Sequence, residues 1–175
     1  MSTVVAIVDK GKVWMGADSY ATMEGGQRRR IMCKKMFVNP PYLIGHVGSV
    51  RVGQVVKPEY FKAPENILQF PDNLIKHFRK KGCLGIDSDD QTTTNGSNFL
   101  IATPYGKLYE LLVDFQLNEV EDFTSIGSGS TFALGSLYTT RKKKNHRKRI
   151  ITALKIAAVY DMQTGPPFIV EEYLE

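Results

Sequence analysis

The chain has 175 residues, of which 42% are hydrophobic, so it can bury a substantial core, and we expect residues 1–175 to form a single domain. Its net charge of +5 comes from one segment: residues 141–149 hold seven of the 23 Lys and Arg residues, and removing those seven from +5 leaves −2 for the rest. No window approaches the ~18 apolar residues that span a bilayer, and no basic region precedes an apolar stretch at the N-terminus, so we expect neither membrane association nor a signal peptide.

The predicted strands come in hairpin pairs. Two runs of β-forming residues near the N-terminus flank Asp9-Lys10-Gly11-Lys12, which is turn chemistry and indicates the first hairpin. Later pairs are joined by Asn39-Pro40-Pro41, where two prolines exclude ladder pairing, and by Pro104-Tyr105-Gly106. The predicted strands are 3–8, 13–17, 35–38, 42–47, 99–103, 107–112, 123–126 and 168–170.

Helical periodicity predicts two pairs of helices. The first pair begins after Gly48-Ser49, with valines at helical spacing as far as Pro58, and continues with residues 71–81, which start at a proline and stop at Gly82. The second pair is 130–140 and 150–160, separated by the basic segment, residues 141–149. Its predicted apolar stripes are Phe132, Leu134 and Leu137 in one helix and Ile151, Leu154 and Ala158 in the other.

The basic segment, Arg141 to Arg149, is expected to be a solvated surface loop. Contact with an acidic partner, or with nucleic acid through phosphate neutralisation, is left open as the alternative.

Several predicted strands are apolar at successive positions, as in the run from Thr3 to Val8, so both faces of these strands are expected to be covered. With a helix pair after each set of hairpins, the economical arrangement is two sheets packed together with helices outside. The predicted fold class is therefore α+β.

The feature that points to chemistry is an apolar strand that begins at the second residue of the chain. Chain ends normally fray unless something holds them. Removal of Met1 would give Ser2 a free α-amine beside its own hydroxyl, and an amine with a pKa of about 7.7 to 8.0 can act as a base near neutral pH. The pattern therefore indicates an N-terminal nucleophile, whereas a retained Met1 would tie up that amine as an amide.

Ordered motifs follow Ser2 along the chain: Met15-Gly16-Ala17-Asp18, Lys34-Lys35-Met36-Phe37, Ile44-Gly45-His46-Val47-Gly48, Ile126-Gly127-Ser128-Gly129-Ser130 and Asp161-Met162-Gln163-Thr164-Gly165. Their order and spacing, from Ser2 to about Glu172, resemble those of proteasome β subunits and the HslV peptidase, which are N-terminal nucleophile (Ntn) hydrolases. The resemblance implies a four-layer αββα sandwich of two antiparallel sheets flanked by helix pairs. It also implies a peptidase that degrades peptides or unfolded proteins inside a homo-oligomeric ring, and it leaves room for an ATPase unfoldase as partner.

The resemblance also implies roles for individual residues. Ser2 matches the nucleophile, Asp18 matches the acidic residue that pairs with the catalytic lysine, and Lys35 matches that lysine, with Lys34 as the alternative if the alignment shifts by one. Gly45 matches the glycine whose backbone N–H stabilises the oxyanion. The outer group that orients the terminal amine and its water is matched by Ser128, Asp161 and Thr164.

Each of these positions also has a purely structural interpretation. Asp18 and Lys35 could form an ordinary ion pair, and Gly45 could be a close-packed strand glycine. The segments around Ser128 and Thr164 could be a turn before a helix and a helix stop. Each alternative is favoured when its position is taken alone, but their joint occurrence with Ser2 favours the site.

Three departures from the family pattern are present: serine replaces the usual threonine at position 2, Tyr20 stands where many proteasome β subunits have arginine, and the basic segment is additional. They support a second hypothesis, a non-catalytic assembly protein that keeps Met1 and uses residues 141–149 to contact a partner or nucleic acid.

No cofactor or metal is expected. The histidines His46, His77 and His146 lack metal-ligand spacing, and the chain has no nucleotide-binding loop, so any ATP dependence would come from a partner. The cysteines, Cys33 and Cys83, are too few for a disulfide framework, which favours free thiols in a reducing compartment and a cytoplasmic location.

Overall fold

The computed structural model describes residues 2–22, 28–30, 34–86 and 93–173. Its strands, in chain order, are β1 (Thr3–Asp9), β2 (Lys12–Ala17), β3 (Tyr20–Thr22), β4 (Arg28–Arg30), β5 (Met36–Asn39), β6 (Tyr42–Gly48), β7 (Gly85–Ile86), β8 (Thr93–Thr94), β9 (Ser97–Ala102), β10 (Leu108–Leu111), β11 (Leu117–Val120), β12 (Phe123–Gly127) and β13 (Ile169–Tyr173). The helices are α1 (Val50–Val55), α2 (Phe70–Lys81), α3 (Ser130–Thr139) and α4 (His146–Tyr160), with a 3₁₀ turn (Ile67–Gln69) before α2.

The first sheet has the antiparallel order β12-β1-β2-β13, which places the start of the chain in the middle of a sheet. β1 and β2 form the predicted N-terminal hairpin. Its two turn residues, Lys10 and Gly11, have φ values of 50° and 72°. Positive φ at both positions is the turn geometry whose twist matches that of the flanking strands, so the local sequence determines this hairpin.

The second sheet has the antiparallel order β11-β10-β9-β6-β5. Pro40 and Pro41 lie in the turn, and the ladder between β5 and β6 ends at the pair Asn39 and Tyr42, so the prolines stay outside the pairing, as predicted. The turn after β9 meets the first hairpin turn, since a Cβ on Gly106 would lie 2.0 Å from the carbonyl oxygen of Gly11. The two sheets therefore touch backbone to backbone at the end remote from Ser2.

The two sheets pack face to face, and each has helices on its outer face. In β1, Val4 and Ala6 belong to the core between the sheets, whereas Val5 and Ile7 pack against α3 and α4. The outer face of the second sheet packs against α1 and α2 through a cluster that includes Ile44, Val52, Leu74, Phe78 and Phe99. A large aliphatic side chain buried in these layers contributes about 1.5–3 kcal/mol. The predicted α+β four-layer αββα sandwich is confirmed.

The helices agree with the predicted pairs, with one correction at the basic segment. α4 begins at His146 rather than Ile150, because the Asn145 side chain accepts a hydrogen bond from the Lys148 N–H and caps the helix. Only Thr140 to Asn145 connect the two helices, and Arg149 is buried with its guanidinium donating to the Leu137 carbonyl. The expected solvated loop is therefore shorter than predicted.

The buried faces of α3 and α4 also differ from the predicted stripes. The buried residues of α3 are Ala133 and Leu137, while Phe132 is 40% exposed and stacks on Tyr160. In α4 the buried apolar residues are Ile150, Ala153, Leu154 and Ala157. The buried face is rotated because Gly16 on β2 lets Ile150 approach the sheet closely.

Five short strands were not predicted: β3, β4, β7, β8 and β11. The last strand, predicted for 168–170, runs from Ile169 to Tyr173. Among the described residues Cys83 is a free thiol, and none of the helices has the length and apolar character needed to cross a bilayer. Cys33 and Met1 lie outside the described residues.

Candidate active site

The backbone around Ser2 is held from both sides. Ser2 is buried, and its carbonyl oxygen accepts a hydrogen bond of 3.0 Å from the N–H of Ser128, which follows β12. The next residue, Thr3, pairs with Gly127 in the ladder between β1 and β12. The ordered strand at the start of the chain is thus confirmed, and its first residue has a defined position in the sheet.

Asp18, at the end of β2, joins three segments of the chain through its carboxylate. One oxygen, Oδ1, accepts from the Thr3 N–H at 2.9 Å and from Lys35 Nζ at 2.5 Å. The other, Oδ2, accepts from the N–H groups of Tyr20 at 3.0 Å and Gly165 at 3.2 Å. The residue beside Ser2 is therefore fixed by the same carboxylate that binds the candidate catalytic lysine.

The ammonium of Lys35 is buried in this cluster, where it also donates to the Tyr20 carbonyl. Burial lowers the pKa of Lys35 from its ordinary value, and the adjacent Asp18 carboxylate acts in the opposite direction. Lys34, the alternative from the sequence, is exposed. Of the two lysines, Lys35 is therefore the one that pairs with Asp18.

A second polar cluster links the outer candidate residues to β1. The Asp161 carboxylate accepts from the hydroxyl of Ser128 at 2.7 Å and from that of Thr164 at 2.6 Å. The Thr164 hydroxyl lies 2.5 Å from that of Thr3. Gly129 makes this contact sterically feasible, because a Cβ there would stand 2.4 Å from Thr3 Oγ1. The structure thus brings Ser128, Asp161 and Thr164 together and connects them to the residue after Ser2.

The structure places Gly45 inside the second sheet, and Gly45 is not among the residues that line a cavity with Ser2. It lies in the middle of β6, paired with Met36 on one side and Leu100 on the other, so its N–H belongs to a ladder. A Cβ at this position would stand 2.6 Å from Met15 Sδ and 2.8 Å from Val4 Cγ1. Gly45 is a close-packed glycine between the sheets, the structural alternative considered from the sequence.

Gly48, three residues further on, lines a cavity of 330 Å³ together with Ser2, Gly127 and Ser128. It has a φ of 112°, a conformation that glycine adopts readily. The sequence motif contained Gly48, but its role was assigned to Gly45. The signal that distinguishes them is position: Gly48 ends a strand, where a backbone N–H can leave the ladder.

A larger cavity of 560 Å³ opens on the other candidate residues. Asp18 and Lys35 line it, together with Met36, Leu43 and Tyr173, and Ser2 is not among its lining residues. The connection between Ser2 and Lys35 therefore runs through Thr3 and Asp18 rather than through a shared cavity. Within the described ranges, no cluster of three or more His, Cys, Asp or Glu side chains could hold a metal ion.

His46 belongs to one of the ordered motifs, but the sequence assigned it no role in the site. Its backbone N–H donates to the Lys35 carbonyl at 2.9 Å, and its ring Nε2 lies 3.0 Å from the Ser49 carbonyl. The ring packs against Gly53 and Phe99, and burial lowers the pKa of His46 to about 4. His46 thus contacts Lys35 through its backbone and the turn that follows Gly48 through its neutral imidazole.

The chain is similar to known proteins in sequence and in fold. No protein-family model matches the chain. A proteasome subunit beta of Parafrankia sp. (strain EAN1pec) is 26% identical over 185 residues, which covers 98% of this chain and 67% of the relative.

Solved structures of BPH and HslV superimpose on nearly the whole chain. BPH of Thiobacillus denitrificans has a TM-score of 0.84 at 18% identity, covering 98% of this chain and 97% of that one, and its complex with epoxomicin gives 0.82 at 17% identity with 98% of each chain covered. HslV from Trypanosoma brucei has a TM-score of 0.67 at 17% identity and covers 99% of each chain. The sandwich, the ordered motifs and these similarities agree: the chain has the fold of the N-terminal nucleophile hydrolases and is similar to a proteasome β subunit in sequence and to HslV in fold.

Proposed function

We propose that the chain is a peptidase whose nucleophile is the Ser2 hydroxyl, with the α-amine of the same residue as its base once Met1 is removed. The observation that carries the proposal is the set of hydrogen bonds at Asp18, which holds the Thr3 backbone and a buried Lys35 ammonium on one carboxylate. This arrangement holds the backbone that follows Ser2 on the same carboxylate that binds a buried positive charge. Similarity to a proteasome β subunit supports the reaction class.

The chemical steps follow from the two groups on Ser2. The amine takes the hydroxyl proton, Oγ bonds to the peptide carbonyl carbon, and the carbonyl oxygen becomes an oxyanion. The C–N bond then breaks, the leaving nitrogen takes the proton, and an ester remains on Oγ. Water attacks that ester with the amine again accepting the proton, which releases the acid and restores the hydroxyl. Lys35 favours the uncharged amine because like charges disfavour each other.

The oxyanion is assigned to Gly48 in place of Gly45. Gly48 lines the cavity that contains Ser2 and carries no side chain to obstruct an approaching carbonyl. The cluster of Ser128, Asp161 and Thr164 is assigned the orientation of the terminal amine and of the hydrolytic water. Its bonds to Thr3 and its position beside the Ser2 carbonyl support this role.

We propose that residues 1–175 form one Ntn-hydrolase domain and that copies assemble into a cytoplasmic ring that degrades peptides or unfolded proteins, with an ATPase unfoldase as partner. These features come from the resemblance. An exposed apolar surface formed by Phe132, Val159, Tyr160 and Met162 supports self-association, because soluble monomers seldom expose such clusters. Native mass spectrometry of the purified chain measures the number of copies.

The test of the nucleophile combines intact mass with peptide turnover on one sample. Protein that lacks Met1 is expected to cleave a fluorogenic peptide, and Ser2→Ala is expected to lower turnover by at least about 10³-fold, since it removes the attacking atom. Ser2→Thr keeps the hydroxyl and is expected to remain active.

The matched control is Ser136→Ala on α3, which removes a serine hydroxyl outside the candidate site and is expected to leave turnover unchanged. Unaltered cleavage by Ser2→Ala would refute the nucleophile assignment. A mature protein that keeps Met1 and cleaves nothing would instead support the non-catalytic assembly protein.

A further inference from the structure

The core between the two sheets ends in polar residues at the end where Ser2 lies. On β10, Leu108 is part of this core, and Glu110, two residues further, points to the same face of the strand. On β9, Leu100 is in the core, and Asn98 occupies the equivalent position toward Ser2. Inward-facing positions of a sandwich are normally apolar, so a carboxylate and an amide there require a partner.

Neither group has an adequate partner among the described residues. The Glu110 carboxylate has one hydrogen bond, at the limiting distance of 3.5 Å, from the Thr124 hydroxyl. The Asn98 Oδ1 atom is buried without a hydrogen-bond partner. Burial raises the pKa of Glu110 from its ordinary value, and the described side chains supply no cation that opposes this effect. A buried acceptor left unsatisfied is unfavourable, so the geometry calls for a donor.

Both residues line the 330 Å³ cavity that also contains Ser2 and Gly48. Two serine hydroxyls of the lining already donate elsewhere: Ser125 to the Val4 carbonyl and Ser128 to Asp161. Their oxygens therefore present lone pairs to the cavity. The described lining residues include no Lys, Arg or His. The cavity is rich in acceptors and holds one negative charge, next to the proposed nucleophile.

We propose that this cavity is a subsite for a cationic amine of the peptide substrate, with the Glu110 carboxylate as its counter-charge and Asn98 Oδ1 as a second acceptor. The ammonium of a lysine side chain and that of a peptide amino terminus share this chemistry. The proposal rests on the proposed peptidase function for the identity of the ligand as a peptide. The proposal gives the chain a preference for positively charged substrates. The net charge of +5 acts against this preference, because it repels positively charged molecules.

The test measures binding on the Ser2→Ala chain lacking Met1, so that it does not depend on turnover. Fluorescence anisotropy compares the binding of a short neutral norleucine peptide with that of variants in which one lysine replaces norleucine at each position in turn. Lysine peptides with blocked ends measure the binding of the side-chain ammonium, and the norleucine peptide with a free amino terminus measures the binding of the terminal amine. With lysine in at least one position, or with the free amino terminus, the cationic peptide is expected to bind at least about tenfold more tightly than the neutral norleucine peptide with blocked ends. This is the gain expected from one hydrogen bond to a charged group.

Glu110→Gln keeps the shape and removes the charge, and it is expected to abolish this difference while leaving the affinity for the norleucine peptide unchanged. Glu119→Gln is the matched control, because Glu119 is exposed on the adjacent strand and paired with Lys107 at 2.9 Å. Equal binding of cationic and neutral peptides, no binding of either, or discrimination that survives Glu110→Gln would overturn the subsite. If the Ser2→Ala chain binds cationic peptides more tightly than neutral ones but the chain with Ser2 cleaves no peptide, the result would support the subsite and count against the peptidase.

Discussion

Breaking the contact between Asp18 and Lys35 would leave a charge that the interior cannot solvate. The two side chains are 0% and 6% exposed, and Asp18 also holds the N–H groups of three segments. The carboxylate is therefore a structural junction as well as a candidate catalytic group, and the effects of mutation on stability and on turnover have to be measured separately.

Lys35→Met is expected to lower the free energy of unfolding by about 3–5 kcal/mol, because it leaves the Asp18 carboxylate buried without its counter-charge. Chemical denaturation measures this change. Lys34→Met, at the exposed neighbouring position, is expected to change it by less than about 0.5 kcal/mol. Equal effects of the two substitutions would contradict the placement of Lys35.

His46 predicts a specific sensitivity to acid. Burial lowers its pKa to about 4 in the folded chain, compared with 6.5 for an ordinary histidine, so between these values the unfolded chain binds the proton more readily. Protonation therefore favours unfolding, and stability falls as the pH decreases from 6.5 to 4, by about 3 kcal/mol from this residue. Denaturation of wild type and His46→Gln across that window measures the effect. An identical pH dependence of the two proteins would rule it out.

At the scale of elements, prediction succeeded where a turn or a cap is local. The Lys10-Gly11 and Pro40-Pro41 turns define two hairpins, and Pro71 and Gly82 bracket α2. The strands of two to four residues that were missed carry too little periodicity to detect and form through tertiary pairing. The start of α4 was missed because the charges of residues 141–149 concealed Asn145, although asparagine before a helical run is a recognised N-cap signal.

Two glycines test how closely the elements pack. A Cβ at position 16 would lie 2.3 Å from Ile150 Cγ2 and 3.2 Å from the Ile169 carbonyl, so Gly16→Ala is expected to destabilise the fold by about 1–3 kcal/mol through overpacking of α4 on β2. Gly135→Ala, inside α3 with no atom within 4 Å of the new Cβ, is expected to stabilise by about 0.5–1 kcal/mol. Thermal unfolding distinguishes the two, and a stabilising Gly16→Ala would contradict the packing of α4.

At the scale of the molecule, the site is assembled from segments that are distant in sequence. The ordered motifs were enough to propose six of the site residues: Ser2, Asp18, Lys35, Ser128, Asp161 and Thr164. The structure places all of these but Ser2 in two hydrogen-bonded clusters that meet at Thr3. Gly48 follows the predicted strand 42–47, a signal that could have separated it from Gly45, and the strand pairing shows that Gly45 lies in the middle of β6. Asn98 and Glu110 were also out of reach, because their significance appears only when the two sheets are stacked.

The backbone contact between Gly11 and Gly106 has a mechanical consequence. It joins the two sheets at the end remote from Ser2, and the buried ion pair between Asp18, just after β2, and Lys35, just before β5, joins them at the Ser2 end. Separation of the sheets would have to break one of these two contacts, so we expect the cavity around Ser2 to keep its shape when a ligand enters.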